Sequence, residues 1–332
     1  MKNGHKIIIT ILAVAMALFH IYTSAFGMYT ALIQRGMHLM FVLALIFLIF
    51  PVKKGVSRKN IPLYDYILSL LGFVVGAYIV INYNAIVLRE GQATQLDIIM
   101  GVVAIILVLE ATRRTLGLPL VIIGVIFLIY AFAGPHMPGA LIHRGYDIQR
   151  VAYQMYMTTS GIFGIPFGVS ATTIAMFIIF ASFINKTGGG KYFVDLAFSI
   201  AGRTRGGPAK AAVIGSCIMG SITGAAVANV AATGTFTIPL MKRTGYKPHI
   251  AGAIEAVAST GSQIMPPIMG SAAFIMAEMA EIPYSSIMVA ALIPALFYYF
   301  SLFLAVDIEA AKHGLKGLTK KELPPLKKKF NK

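Results

Sequence analysis

The sequence predicts an all-α polytopic membrane protein, with about eight transmembrane helices and one re-entrant helical hairpin. Three observations carry that expectation. Of the 332 residues, 58% are apolar and only 12% are charged, against roughly 25% charge in a soluble domain. Apolar runs approaching or exceeding the roughly 20 residues that cross a bilayer recur along the chain. When these runs are threaded alternately from a cytoplasmic N-terminus, 24 of the 28 Lys and Arg residues fall on the inner side, as the positive-inside rule requires.

The runs are 7–26, 36–52, 63–83, 96–109, 118–132, 162–184, 250–280 and 284–306. The first has 20 residues and no A-x-A site after it. It therefore reads as a span and not as a signal peptide, whose apolar core is roughly 7–15 residues. The runs 36–52 and 96–109 are short for a crossing. The inner segments hold Lys53, Lys54, Arg58, Lys59, Arg113 and Arg114, the basic residues on both sides of 208–240, and eight Lys in the tail 312–332. The outer loops keep only Arg35, Arg89, Arg144 and Arg150. The net charge of +16 is then a topology signal and an attraction to anionic membrane lipids, with no nucleic acid partner expected. Both termini are placed in the cytoplasm. In the outer segment 133–161, residues 146–157 suit a short interfacial helix. At the inner face, Phe193, Val194, Leu196, Ala197 and Ile200 suit a helix lying in the interface.

Residues 208–240 do not fit a simple span. They carry no charge except Lys210, and both flanks are basic: Arg203 and Arg205 before, Lys242, Arg243 and Lys247 after. A single crossing would put one basic cluster outside. An arm of 14 residues, 208–221, is about 21 Å of helix, short of the roughly 30 Å hydrocarbon core. Two such arms with a turn at 222–224 make a re-entrant hairpin. Of the 25 residues 211–235, 16 are Gly, Ala, Ser or Thr, which lets helices approach closely. Non-helical backbone at that depth is tolerated where it is buried in protein or lines a wet cavity. Ser221, Thr223, Gly224 and Asn229 at the tip then offer oxygen ligands to a hard cation, or donors to a carboxylate.

The run 250–280 is interrupted at Thr260, Gly261, Ser262, Gln263, Pro266 and Pro267. Prolines break the backbone ladder, and broken helices with freed carbonyls mark ion and substrate sites in secondary transporters. Glu255, five residues past Ile250, is expected to reach the inner interface or to pair with a basic residue at the hairpin's flank. Glu110, Arg113 and Arg114 read as interfacial anchors.

Other chemistries find little support. The single Cys217 excludes a disulfide framework. No HExxH, GxSxG, paired intramembrane Asp or His cluster within a span speaks for an integral membrane enzyme or a metal site. A channel or structural membrane subunit remains the other alternative, but channels line their pores with symmetric rings or carbonyl filters, whereas a hairpin plus a broken helix is carrier-like.

The stretch 202–279, with "GSCIMGSITGAAVANVAATGTFTIPLMKRTGYKPHI" and "AIEAVASTGSQIMPPIMGSAAFIMAEM", resembles the permeases of tripartite ATP-independent periplasmic (TRAP) transporters. It is most similar to the fused type that works with TAXI-type binding proteins. Upstream "EATRRTLGLPLVIIGVIFLIYAF" and downstream "YSSIMVAALIPALFYYFSLFLAVDIEAAKHGLKGL" fit the same family. The resemblance implies sodium-coupled uptake of an organic acid across the bacterial inner membrane, delivered by a periplasmic TAXI-type solute-binding protein, with Na+ as the coupling ion and no cofactor. It implies a small-subunit-like region over 1–110, a connecting helix and outer segment over 111–160, a large-permease region over 161–311 and a basic tail over 312–332. The large region would form the first inverted repeat of an elevator-type carrier. Where many members read Ser-Gly-Ser-Ser at the hairpin tip, this chain has Thr223-Gly224-Ala225-Ala226. Sodium would then lean on backbone carbonyls and on Ser221, Thr223 and Asn229. With one hairpin and one broken helix where the family has two of each, the chain resembles a truncated or split N-terminal half, and a second permease half on another chain is expected.

Overall fold

A computed structural model describes residues 3–53, 60–89 and 91–319. Lys54, Arg58, Lys59 and the tail from residue 320 onward lie outside the described residues. The protein is all-helical, and seven helices among the described residues are long and apolar enough to cross a membrane. The chain divides into two compact units, Met1–Thr172 and Thr173–Lys332.

The first unit contains α1 (Asn3–Phe26), α2 (Ala31–Ile49), α3 (Leu63–Ile81), the short α4 (Tyr83–Leu88), α5 (Gln95–Thr115), α6 (Leu118–Ala133), α7 (Ile148–Tyr156) and α8 (Ile165–Val169). Its core gathers Leu39, Leu43, Phe47, Val75, Ile79, Leu107, Tyr156 and Phe163. α2 and α3 meet over Gly72 and Gly76: a Cβ on Gly76 would lie 2.5 Å from Met40 Cβ, and one on Gly72 would lie 2.6 Å from Leu43 Cβ. This small-xxx-small spacing brings two backbones together where apolar burial offers no drive.

The two short runs become full-length helices. α2 has 19 residues and α5 has 21. α5 gains its length at polar ends. A capping box at Thr94 and Asp97 starts it. At its far end Glu110 accepts from Arg113 and Arg114, and Arg114 Nη1 lies 2.6 Å from Asp65 Oδ1, both side chains being 1% exposed. Arg114 is therefore part of a buried ion network and not the interfacial anchor expected, because Asp65 of α3 faces it. α1 and α2 share a second polar seam. His20 Nε2 and His38 Nδ1 are 2.9 Å apart, and Gln34 donates to Thr23 Oγ1 and to the Ala171 carbonyl.

The second unit holds α9 (Ala175–Lys186), α10 (Gly189–Ala201), α11 (Gly207–Thr223), α12 (Ala226–Arg243), α13 (Pro248–Thr260), α14 (Ser271–Ala280) and α15 (Tyr284–Lys312). A π-turn spans Ser170–Ile174, just before α9. α7 and α10 stand where the sequence placed interfacial helices.

Candidate functional site

α11 and α12 form the expected hairpin. α11 ends at Thr223; Gly224 takes φ +60°, Ala225 is extended, and α12 begins at Ala226. Gly224 is required there: its φ is left-handed, and a Cβ would lie 1.9 Å from the Met269 carbonyl oxygen. The arms have 17 and 18 residues, about 26 Å each, longer than expected because α11 continues to Thr223 at the tip and α12 runs on through Lys242 and Arg243. The feet of the hairpin meet. A Cβ on Gly206, just before α11, would lie 2.6 Å from the hydroxyl of Tyr246, just after α12. Burial, reinforced by the Glu309 and Asp307 carboxylates, pushes the Tyr246 phenol up to about 12, so it keeps its proton. Lys210 in the first turn of α11 reaches Asp307 of α15 at 2.6 Å, and Arg205 pairs with the same carboxylate, which raises its guanidinium further.

The broken helix packs on the hairpin tip. α13 stops at Thr260, a 3₁₀ turn spans Gly261–Gln263, the chain passes Pro266 and Pro267, and helix resumes at Ser271. The Ile268 amide donates to the Ser221 carbonyl at 3.2 Å. A Cβ on Gly220 would lie 2.8 Å from Ser262 Cβ, and one on Gly261 would collide with the Tyr299 ring of α15. Met269, 2% exposed in the break, has φ +54°; such a conformation persists only where its surroundings hold it. Tyr284 hydroxyl lies 2.8 Å from the Pro267 carbonyl and 2.6 Å from that of Ile268, and Tyr299 donates to the Ala258 carbonyl. These freed carbonyls thus acquire partners from α15.

Of the residues singled out in the sequence, Ser221 and Gly224 pack on the break at Ile268 and Met269, Ser262 packs on Gly220 beside Ser221, and Asn229 bonds α11 at Ser216. Ser221 and Thr223 donate their hydroxyl protons to the carbonyls of Ile218 and Met219, which leaves their oxygen lone pairs available. Asn229 and Ser262 are both 0% exposed. Asn229 Nδ2 donates to the Ser216 carbonyl at 2.8 Å, but its Oδ1, like Ser262 Oγ, has no hydrogen-bond partner. Asn229 packs on Ser216 through its amide nitrogen and Ser262 packs on Gly220 through Cα and Cβ, so the two residues meet α11 one turn apart. Thr260, Gln263 and Pro267 are exposed, and Pro266 is half-buried; the Thr260 hydroxyl bonds its own helix at Ala256.

Glu255 corrects its expectation. It neither reaches an interface nor pairs with a flank cation; Lys210 and Arg205 go to Asp307 instead. Glu255 is 0% exposed and lies in a cage of hydroxyls. Thr237 Oγ1 donates to Oε2 at 2.5 Å; Thr233, Ser216 at 3.4 Å and Ser259 at 3.3 Å donate to Oε1. Both hairpin arms are thereby tied to α13. The signal was present in the four-residue spacing of Asn229, Thr233 and Thr237, which puts three polar side chains on one face of α12, and in the same spacing between Glu255 and Ser259.

A polytopic helical protein whose hairpin tip sits in the break of a second helix belongs structurally with secondary carriers. Residues 103–332 match the model of the family described as "Tripartite ATP-independent periplasmic transporter, DctM component", and the chain belongs to that family. It is similar to the 2,3-diketo-L-gulonate TRAP transporter large permease protein YiaN of Escherichia coli, 31% identical over 30% of this chain and 23% of that protein. It is also similar to the C4-dicarboxylate TRAP transporter large permease proteins DctM of Pseudomonas aeruginosa (27% identical over 45% of this chain and 35% of the relative) and of Vibrio cholerae (23% identical over 63% and 42%). The chain spans 23% to 42% of the length of the curated relatives it matches. The family and these relatives are transporter permeases and not enzymes, and the chain is a multi-pass inner-membrane protein.

Proposed function

We propose that this chain is a membrane component of a TRAP permease that takes up an organic acid, handed over by a periplasmic TAXI-type binding protein, with sodium as the coupling ion. Residues 1–110 would do the work of the small subunit. The hairpin and broken helix would form one half of an ion and substrate region, with a second such set, on this or a partner polypeptide, forming the other. The N- and C-termini would face the cytoplasm.

One observation carries the sodium reading: the unpartnered, fully buried oxygens of Asn229 in α12 and Ser262 in the break, two residues that pack on Ser216 and Gly220 of α11. Buried polar atoms are almost always satisfied, so two together point to a ligand. The donor set contains only oxygens: Asn229 Oδ1, Ser262 Oγ, the Ser221 and Thr223 hydroxyls and carbonyls of the tip. That suits a hard cation. The names of the relatives, C4-dicarboxylate and 2,3-diketo-L-gulonate permeases, support a carboxylated solute.

The test is sodium-dependent uptake of labelled organic acids by the complete system in proteoliposomes. Asn229→Ala and Ser262→Ala should each raise the half-saturating sodium concentration about tenfold, equivalent to about 1.4 kcal/mol, and Thr223→Ala should raise it less. Uptake that ignores sodium, or variants with unaltered sodium dependence, would refute the assignment.

A further inference from the structure

We propose a second binding site on the outer wall of the hairpin, for the headgroup of an anionic diacyl phospholipid. A cavity of about 260 Å³ lies between α10 and α12, lined by Lys191, Val194, Asp195 and Phe198 on one side and Phe236, Pro239, Leu240 and Arg243 on the other. On each helix the lining residues recur at spacings of three and four, so each helix gives one continuous stripe. The α12 stripe is apolar at Phe236, Pro239 and Leu240 and ends in Arg243, and the α10 stripe begins at Lys191 and sets Val194 and Phe198 beside Asp195. This combines an apolar wall for an acyl chain with two cations lining the same cavity for a phosphate. Basic pockets between membrane helices bind acidic headgroups in this way.

Three further features favour an anion from the bilayer. Lys191 stands in the first turn of α10, whose N-terminal cap Gly188 supplies no side-chain hydrogen bond. The positive end of a helix disfavours a cation beside it and favours an anion, so Lys191 and the uncapped amides there attract the same charge. Asp195 is the one acidic residue of the lining; with Lys191 and Arg243 it leaves the cavity with a net single positive charge. Phe236, 49% exposed, and Tyr192 and Ile200 of α10, 43% and 60% exposed, are apolar surface next to the cavity that acyl chains cover. The site is separate from the oxygens at the hairpin tip and does not depend on the sodium reading.

The chain contains no tryptophan, so Phe236→Trp places a single fluorescent reporter in the cavity wall. The full chain carrying this substitution is reconstituted in phosphatidylcholine vesicles into which brominated phosphatidylglycerol or brominated phosphatidylcholine is titrated. Brominated phosphatidylglycerol should reach half-maximal quenching at a mole fraction at least fivefold lower. Adding Lys191→Gln and Arg243→Gln should abolish that preference. Lys191→Arg should keep it, as should Arg150→Gln in the other unit, and circular dichroism confirms that each variant retains its helix. Equal quenching by the two lipids, or a preference that survives loss of both cations, overturns the proposal; the cavity would then face an acidic protein segment instead. Displacement of the lipid by millimolar inorganic phosphate also overturns it, because the site would then recognise a free anion.

Discussion

Glu255 shows how much a single side chain contributes here. A carboxyl buried among Ser216, Thr233, Thr237 and Ser259 ties three helices together at one point. Its removal takes the acceptor of Ser259 and the shared acceptor of Ser216, Thr233 and Thr237, and leaves a void behind them. Glu255→Ala should therefore lower stability by about 2–4 kcal/mol, and Glu255→Gln, which keeps shape and one acceptor, by less. Thermal unfolding in detergent would show this as two separated melting temperatures, both below wild type. A Glu255→Ala protein that melts with wild type would mean the cage does not support the hairpin. Gly220 is the second case. A methyl group there meets Ser262 Cα and Cβ within 3 Å, and neither atom can move without the backbone of the break. Gly220→Ala should displace the break at about 1–3 kcal/mol and weaken sodium-dependent uptake more than Gly252→Ala, where nothing lies within 4 Å of the added carbon. Equal behaviour of the two variants would argue against close contact between tip and break.

At the scale of elements, the short run 96–109 became the 21-residue α5 because ion pairs at its ends let polar residues extend it. Arg114 with Asp65 is the main one, with both side chains 1% exposed. Removing one partner strands the other charge, so Asp65→Leu or Arg114→Met alone should cost about 3–5 kcal/mol, while the double variant should recover most of it. A double variant no more stable than either single one would show that the pair does not act as a unit. The hairpin was legible as an element from its basic flanks and its run of small residues. Its partners were less so. Tyr284 and Tyr299 of α15, which bond the carbonyls freed by the break, lie at least 14 residues beyond it in sequence, and no local pattern announces such a pairing. The seam of Gly72 and Gly76 was readable as small-xxx-small, but which helix it would receive was not.

For the whole molecule, the contact between Gly206 and Tyr246 requires both ends of the hairpin to lie on one side of any membrane the protein crosses. With Cys217 replaced by Ser, single cysteines at Thr204 and Thr244 should react with a membrane-impermeant maleimide from the same face, and one at Ala225 should react far more slowly. Labelling of the two from opposite faces would exclude a re-entrant hairpin.

Composition and the spacing of apolar and basic residues determined by themselves that this is an all-helical membrane protein, where a helical hairpin falls and where a helix is broken. Those features depend on the free energy of transferring each segment between water and lipid, which is a property of the segment alone. The tertiary structure alone decided that Glu255 is enclosed by hydroxyls, that Arg114 is buried against Asp65, and that His20 and His38, in different spans, share a hydrogen bond. Pairing across helices depends on rotation and register, and inside a membrane those are chosen by close packing and polar satisfaction between neighbours, which no single segment encodes.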